Sequence, residues 1–200
     1  MINLYAKLHD DVWFGVACNY KSIFATAFAP NQGMVFRSLL RSIPFNVPFQ
    51  CSKEGMFLAD QVVSTLRDIY NGKAAHNKFS LNMESLSKYM QKVLRATAHI
   101  PVGYVTSYGL IAKVAGGSPR AVGRAMALNP FPLLIPCHRV VASDLSLGGY
   151  GGGLKVKLEI LRREKRGHSE EREIPVDRGI LKIFPVELVL EKVLKKAIKV

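Results

Sequence analysis

Cys137 is followed directly by His138 within Ile135-Pro136-Cys137-His138-Arg139-Val140, an apolar stretch introduced by a proline. Thiolate is the reactive form of cysteine, and an adjacent imidazole or cation is the usual means of producing it near neutral pH. The pair fits a sulfur nucleophile carrying its own base; it fits equally a buried structural cysteine beside a hydrogen-bonded histidine. A third group bears on the choice. Leu154, Leu158 and Leu161 define the buried stripe of a helix starting near Leu154, and the same spacing extended by three reaches Glu164. A carboxylate on a core-facing line needs a partner, and His138 is available. A solvent-facing Glu in the last helical turn accounts for the pattern as well.

Such groups need a scaffold, and the pattern around them is mostly helical. Leu86, Tyr89, Met90, Val93 and Leu94 recur at helical spacing and predict an amphipathic helix over 84–98, ended by Pro101-Val102-Gly103. Ser107 is suited to cap a short helix through Val114, and Gly116-Gly117 makes a turn. Ser118-Pro119 then offers a cap with proline at the first helical position, opening a helix that stops near Asn129-Pro130. Two short helices across a glycine turn have the layout of a helix-turn-helix. On the second, Val122 and Met126 form the apolar stripe, with Arg120, Gly123, Arg124 and Ala127 elsewhere around it. Small residues beside arginines let a nucleic-acid groove come close, and the lack of Gln or Asn in the helix body argues for little direct base readout. Leu147-Gly148-Gly149-Tyr150-Gly151-Gly152-Gly153 is a loop whose glycines remove side chains where a ligand would pass.

Upstream, Val12–Cys18 and 23–28 read as strands joined by a turn, helices are expected over 34–43 and 56–70, and 72–78 reads as a polar linker. Downstream, Val186, Val189, Leu190, Val193, Leu194 and Ala197 predict an amphipathic C-terminal helix that packs on the body. The formal net charge is +13, and its distribution is uneven: residues 1–78 carry 8 Lys+Arg against 5 Asp+Glu, 79–167 carry 13 against 4, and 168–200 carry 7 against 6. The block with Cys137 thus has a net of +9, a field that suits a polyanion, although a solvated basic surface is the common alternative. No apolar run approaches the roughly 18 residues of a membrane span. Three cysteines without an export signal at the start of the chain point to a reducing compartment; approach of Cys18 to Cys51 is left open.

The ordered set Val105-Thr106-Ser107-Tyr108, Pro119-Arg120-Ala121-Val122-Gly123, Asn129-Pro130 and Ile135 to Val140 closely resembles the O6-alkylguanine-DNA alkyltransferase family. The resemblance is strong from about Gly103 to Gly167 and only general over the first 78 residues. It implies an α/β N-terminal domain over 1–78, with a small antiparallel sheet and helices, ribonuclease H-like. It further implies a mainly helical, winged-helix-like C-terminal domain over 79–167, with a helix-turn-helix, that binds DNA and accepts the alkyl group. Residues 168–200 are an extension with the amphipathic helix.

By the same resemblance, Cys137 takes the alkyl group from O6 of guanine in an SN2-like displacement and keeps it as a thioether. His138 would deprotonate Cys137 through a water, Glu164 would orient His138, and Tyr108 would donate to N3 of guanine. Asn129 would hold the turn between recognition helix and cysteine segment. The base must leave the stack to react, and Arg120 would fill its place. Ser118, Pro119, Ala121, Gly123 and Arg124 would lie against the minor groove, while main-chain groups at Cys137, Val140, Tyr150 and Gly151 would line the guanine pocket. Some family members have Ser where this chain has Gly151, which bears on preference for bulky adducts. The implied partner is double-stranded DNA containing O6-alkylguanine, bound by a monomer in the cytoplasm, or in the nucleus of a eukaryote. No membrane partner and no cofactor are expected, since no GxGxxG or P-loop occurs. No metal is expected either, because Cys18, Cys51, His9 and His76 lack short ligand spacing. Two readings compete: a non-catalytic alkylated-DNA recognition protein or helix-turn-helix regulator, and a Cys-His hydrolase with multiple turnovers.

Overall fold

The computed structural model describes residues 1–52, 56–75 and 79–198, with side chains as far as 196. Contacts divide the chain into two compact units. The first comprises Met1–Ile69, Ala75–Leu86 and Pro130–Leu134. Strands β1 (Ile2–His9), β2 (Val12–Cys18) and β3 (Ile23–Ala29) form an antiparallel meander. Helix α1 (Gln32–Ser42) starts at Asn31, whose side chain accepts from the Met34 N–H at 2.9 Å, and buries Val35 and Leu39 against Ile2, Leu4 and Ala17 of the sheet. The chain returns through α1 to lay β4 (Phe49–Cys51) parallel to β1, giving the order β3-β2-β1-β4. The sheet is therefore mixed, which corrects the antiparallel sheet expected from sequence. A helical crossover delivers a parallel strand, and three residues are too few to show the alternation that marks a strand. Helix α2 (Phe57–Tyr70) buries Ala59, Val62, Val63 and Leu66. Cys18 (opposite Asn3) and Cys51 (opposite Leu4) are free thiols with β1 between them. Of the linker expected over 72–78, residues 76–78, His76 included, lie outside the described residues.

The second unit comprises Tyr70–Ala74, Ser87–Asn129 and Ile135–Val200. Helices α3 (Lys88–Ala98), α4 (Tyr108–Ala115) and α5 (Pro119–Ala127) are capped by Ser87, Ser107 and Ser118, each accepting a hydrogen bond from a backbone N–H three residues on. Gly116 and Gly117, with φ of +86° and +83°, make the turn between α4 and α5. The expected mainly helical character holds within 79–167, where the strands are short, and the residues after 167 add a hairpin to them. Strands β5 (Tyr104–Ser107), β6 (Val140–Val141), β7 (Arg172–Val176) and β8 (Gly179–Pro185) build a second mixed sheet in the order β6-β5-β8-β7. β5 and β6 are parallel, and β7 and β8 form a hairpin closed by Asp177-Arg178. The alternation is confined to one strand: Leu181, Ile183 and Pro185 of β8 point inward while β7 is mostly exposed and charged. Helix α7 (Val186–Ile198) places Val186 and Val189 against Val105, Val141 and Leu161.

Helix α6 (Leu154–Arg163) turns a different face inward from the one its leucines suggest. Leu154 is half exposed, and the buried line runs Lys157, Ile160, Leu161 and then Glu164 at the C-cap. A buried lysine defeats a reading based on apolar spacing alone. Among the described residues no helix is long and apolar enough to cross a membrane.

Candidate active site

The cysteine segment is a single tight turn. Asn129 donates from Nδ2 to the Ile135 carbonyl at 3.1 Å, tying together the two ends of the second unit between which residues 130–134 belong to the first. The turn closes through Cys137 N–H to Ile135 O (2.8 Å), Arg139 N–H to Pro136 O (2.9 Å) and Val140 N–H to Cys137 O. Three consecutive side chains, Cys137, His138 and Arg139, are thereby fixed in a buried setting.

Glu164 binds the two residues after the cysteine. Its Oε1 lies 2.9 Å from His138 Nε2, and it accepts from Arg139 Nη2 at 2.7 Å and from Nε at 3.0–3.1 Å on both oxygens. Arg139 also donates from Nη1 to Ile100 O at 2.6 Å. Burial alone would raise the Glu164 carboxyl; the charges and hydrogen bonds of His138 and Arg139 outweigh it and hold its pKa at about 2. Arginine does not titrate, so the carboxylate stays ionised whatever His138 does. Burial pushes His138 below its ordinary value, with Glu164 opposing, so the ring is neutral. An ionised carboxylate cannot donate, so the ring proton sits on Nε2 and Nδ1 keeps its lone pair. Nδ1 is buried and has no partner among the described residues. The result is a neutral base, oriented by a carboxylate, one residue from a thiol.

Lys157 is the residue that sequence reasoning missed. It is fully buried, and its Nζ donates to the carbonyls of Val140 (2.6 Å), Leu147 (2.5 Å) and Gly149 (3.3 Å). It thus joins the cysteine segment to the glycine loop, and it lies 6.0 Å from the Tyr108 ring centroid. Burial lowers its pKa to about 8, with the Cys137 charge opposing. Burial raises the Cys137 thiol, opposed by hydrogen bonds from Asn129 and from backbone and by the Lys157 charge. At neutral pH the thiol is therefore protonated and the lysine charged. Labelling of Cys137 by iodoacetamide is expected to rise about tenfold per pH unit below pH 8 and then flatten as the lysine discharges. Lys157→Met should abolish the flattening; the same profile in both proteins would remove Lys157 from this account. Arg139 was also unread: a cation inside an apolar run demands a buried acid, and that requirement was the available signal.

A cavity of about 550 Å³ opens onto Cys137. Tyr108, Pro119, Arg120, Gly123, Gly149, Tyr150 and Gly151 contribute to its wall with Met126 and Ala127. The structure thus gathers Tyr108, Arg120, Tyr150 and Gly151 around the thiol. Val140 is not part of this lining; it is buried, with its carbonyl turned to Lys157. Ser118, Ala121 and Arg124 belong to the cap and body of α5 but lie outside the lining, Ser118 spending its hydroxyl on the cap. Tyr108 donates to Gly149 O at 3.1 Å. A side chain at Gly151 would meet nothing within 4 Å, so its absence widens the cavity without relieving strain. Gly148 is different: its φ is +66°, and a Cβ would lie 2.9 Å from Tyr108 Cε2. Gly148→Ala is expected to cost about 1–2 kcal/mol in a urea melt through the left-handed backbone alone, and an unchanged midpoint would contradict that.

Residues 88–166 match the family model described as 6-O-methylguanine DNA methyltransferase, DNA binding domain. The chain is 51% identical over 84 residues to a methylated-DNA–protein-cysteine methyltransferase of Pyrobaculum aerophilum, covering 42% of this chain and 54% of that protein. It spans about half the length of that relative. The namesake from Methanocaldococcus jannaschii is 37% identical over 150 residues, covering 66% of this chain and 87% of that one. Among solved structures, the O6-methylguanine-DNA methyltransferase of Pyrococcus kodakaraensis superposes with a TM-score of 0.63 at 28% identity, covering 82% of this chain and 99% of its own.

Proposed function

Since the chain belongs to the methylated-DNA–protein-cysteine methyltransferase family, we propose that it repairs double-stranded DNA by moving the alkyl group of O6-alkylguanine onto Cys137, once per molecule. The observation that carries this reading is a cavity ending at a thiol whose neighbouring imidazole is held neutral and oriented by Glu164. The DNA-binding part is residues 79–167, with α4 and α5 as a helix-turn-helix in a winged-helix-like domain, and residues 1–78 make a ribonuclease H-like domain.

In the proposed reaction His138 Nδ1 takes the thiol proton through a water. The Cys137 sulfur attacks the alkyl carbon in line with the C–O6 bond. The S–C bond forms as that bond breaks, and its electrons pass into the purine. Tyr108 protonates N3, exchanging its Gly149 acceptor for the base, so guanine leaves neutral. The thioether does not turn over, which makes the protein its own stoichiometric reagent. The lesion must first leave the stack, at a cost of a few kcal/mol. Arg120 fills the gap in this reading, supported by its exposure at the start of α5 and its place in the cavity wall. Ser118, Pro119, Ala121, Gly123 and Arg124 support a minor-groove contact in which the phosphate backbone supplies most of the affinity. Monomeric action and a cytoplasmic location complete the reading.

The test is incubation with a duplex carrying radiolabelled O6-methylguanine, followed by peptide mass analysis. About one label per chain on the Cys137 peptide is expected, with no further turnover. Tight binding without transfer would establish the recognition-protein alternative, and repeated turnover on esters or peptides the hydrolase.

A further inference from the structure

A cleft of about 300 Å³ lies outside the thiol cavity, between α3 and the tip of the β7–β8 hairpin. Its walls carry Lys88, Lys92 and Arg95 from α3, Val114 and Ala115 from the end of α4, and Arg178 from the hairpin turn. The three α3 cations stand at i, i+4 and i+7, on one face of the helix. Lys88, Arg95 and Arg178 are exposed. The one acid of the wall, Asp177, pairs with His99 at 3.4 Å. None of the four cations has an acidic partner among the described residues. Like charges on adjacent turns repel weakly, a cost that a bound anion would relieve.

The position of the cleft says which anion. Val114 and Ala115 directly precede the Gly116-Gly117 turn into α5. Tyr89 of α3 fills the space over that turn: a Cβ on Gly117 would come 2.7 Å from its hydroxyl, which is buried and unpartnered among the described residues. The α3 face and the recognition helix are therefore fixed to each other through this turn. The hairpin tip lies beyond residues 88–166 of the family model, in the C-terminal extension.

We propose that this cleft is a second DNA contact, binding backbone phosphates next to the lesion and extending the grip beyond α5. The proposal rests on the DNA-repair reading above. Contacts of this type are sequence-independent and register as salt dependence.

The experiment measures binding of the full-length protein to an undamaged duplex across a salt series. Arg95→Ala/Arg178→Ala should lower the log–log salt slope by about two and weaken binding about tenfold at low salt. A control, Lys195→Ala/Lys196→Ala, removes two exposed cations of α7 and should leave the slope within about half a unit. Transfer from free O6-benzylguanine, which has no phosphate, should proceed at the wild-type rate in both variants. An unchanged slope in the cleft variant, or an equal loss in the control, overturns the proposal while DNA binding by the wild type leaves the repair reading intact. A wild type that binds no duplex overturns the repair reading and this site with it.

Discussion

Cys137→Ala is expected to bind alkylated duplex with near wild-type affinity and to take no label from it. The substitution removes one sulfur from a buried side chain, leaving Arg139, Glu164 and Lys157 with all their partners. Its cost to the fold should stay near 1 kcal/mol, the scale of a single small buried group. In the proposed complex binding draws on phosphate contacts and on α5, neither of which involves the sulfur. Transfer, in contrast, has no other acceptor in reach: Cys18 is buried in the first unit with its pKa pushed up to about 11, and Cys51 lies at an exposed sheet edge. Label should therefore fall from about one per chain to background, while the dissociation constant moves less than about threefold. Label persisting on the variant, at Cys18 or Cys51, would end the assignment of Cys137 as acceptor.

Glu164→Gln should strike fold and chemistry together. The carboxylate is fully buried, and the amide would leave the Arg139 guanidinium without a counter-charge. Breaking a buried pair from one side costs about 3–5 kcal/mol, a fall in melting temperature of about 6–20 °C for a chain of this size. Titration gives an independent handle. The folded pKa, about 2, lies below the ordinary 4.5, so the contribution of Glu164 is complete above pH 4.5 and is lost as pH falls toward 2. Its size is about 3 kcal/mol, in line with the mutational range. The stability gap between wild type and variant, measured by denaturant melts, should be wide at pH 7 and close toward pH 2. The transfer rate at pH 7 should drop about a hundredfold as His138 loses its anionic orienter. A variant as stable as the wild type at pH 7 would show that Arg139 does not depend on this carboxylate.

Much of this site was legible from the chain. Cys137 beside His138 offered either a nucleophile or a structural cysteine, and helical spacing reached Glu164 as one of two readings, of which the structure shows the buried one, paired with His138. Ser107, Gly116-Gly117 and Ser118-Pro119 marked the helix pair through local capping and turn chemistry, which the sequence states directly. What escaped were features created by tertiary packing. Lys157 reads as a solvent cation until Val140, Leu147 and Gly149 converge on its ammonium. The stripe of α6 was misplaced for the same reason, because burial there follows a charged residue. β4 and β6, of three and two residues, are too short for a period, and β7 shows the solvent its charges. Strands of that kind exist only through their neighbours.

One oxygen, Glu164 Oε1, accepts from both the imidazole next to the thiol-bearing residue and the guanidinium that secures the turn. In a survey of variants scored by cell survival under alkylating agents, changes at 139 or 164 would therefore register largely as missing protein, cleared by proteolysis before it met a lesion. Changes at 108 or 137 would leave the protein level intact and the damage in place. Survival alone would rank the two groups together; only a parallel measure of abundance would tell the broken scaffold from the silent reagent.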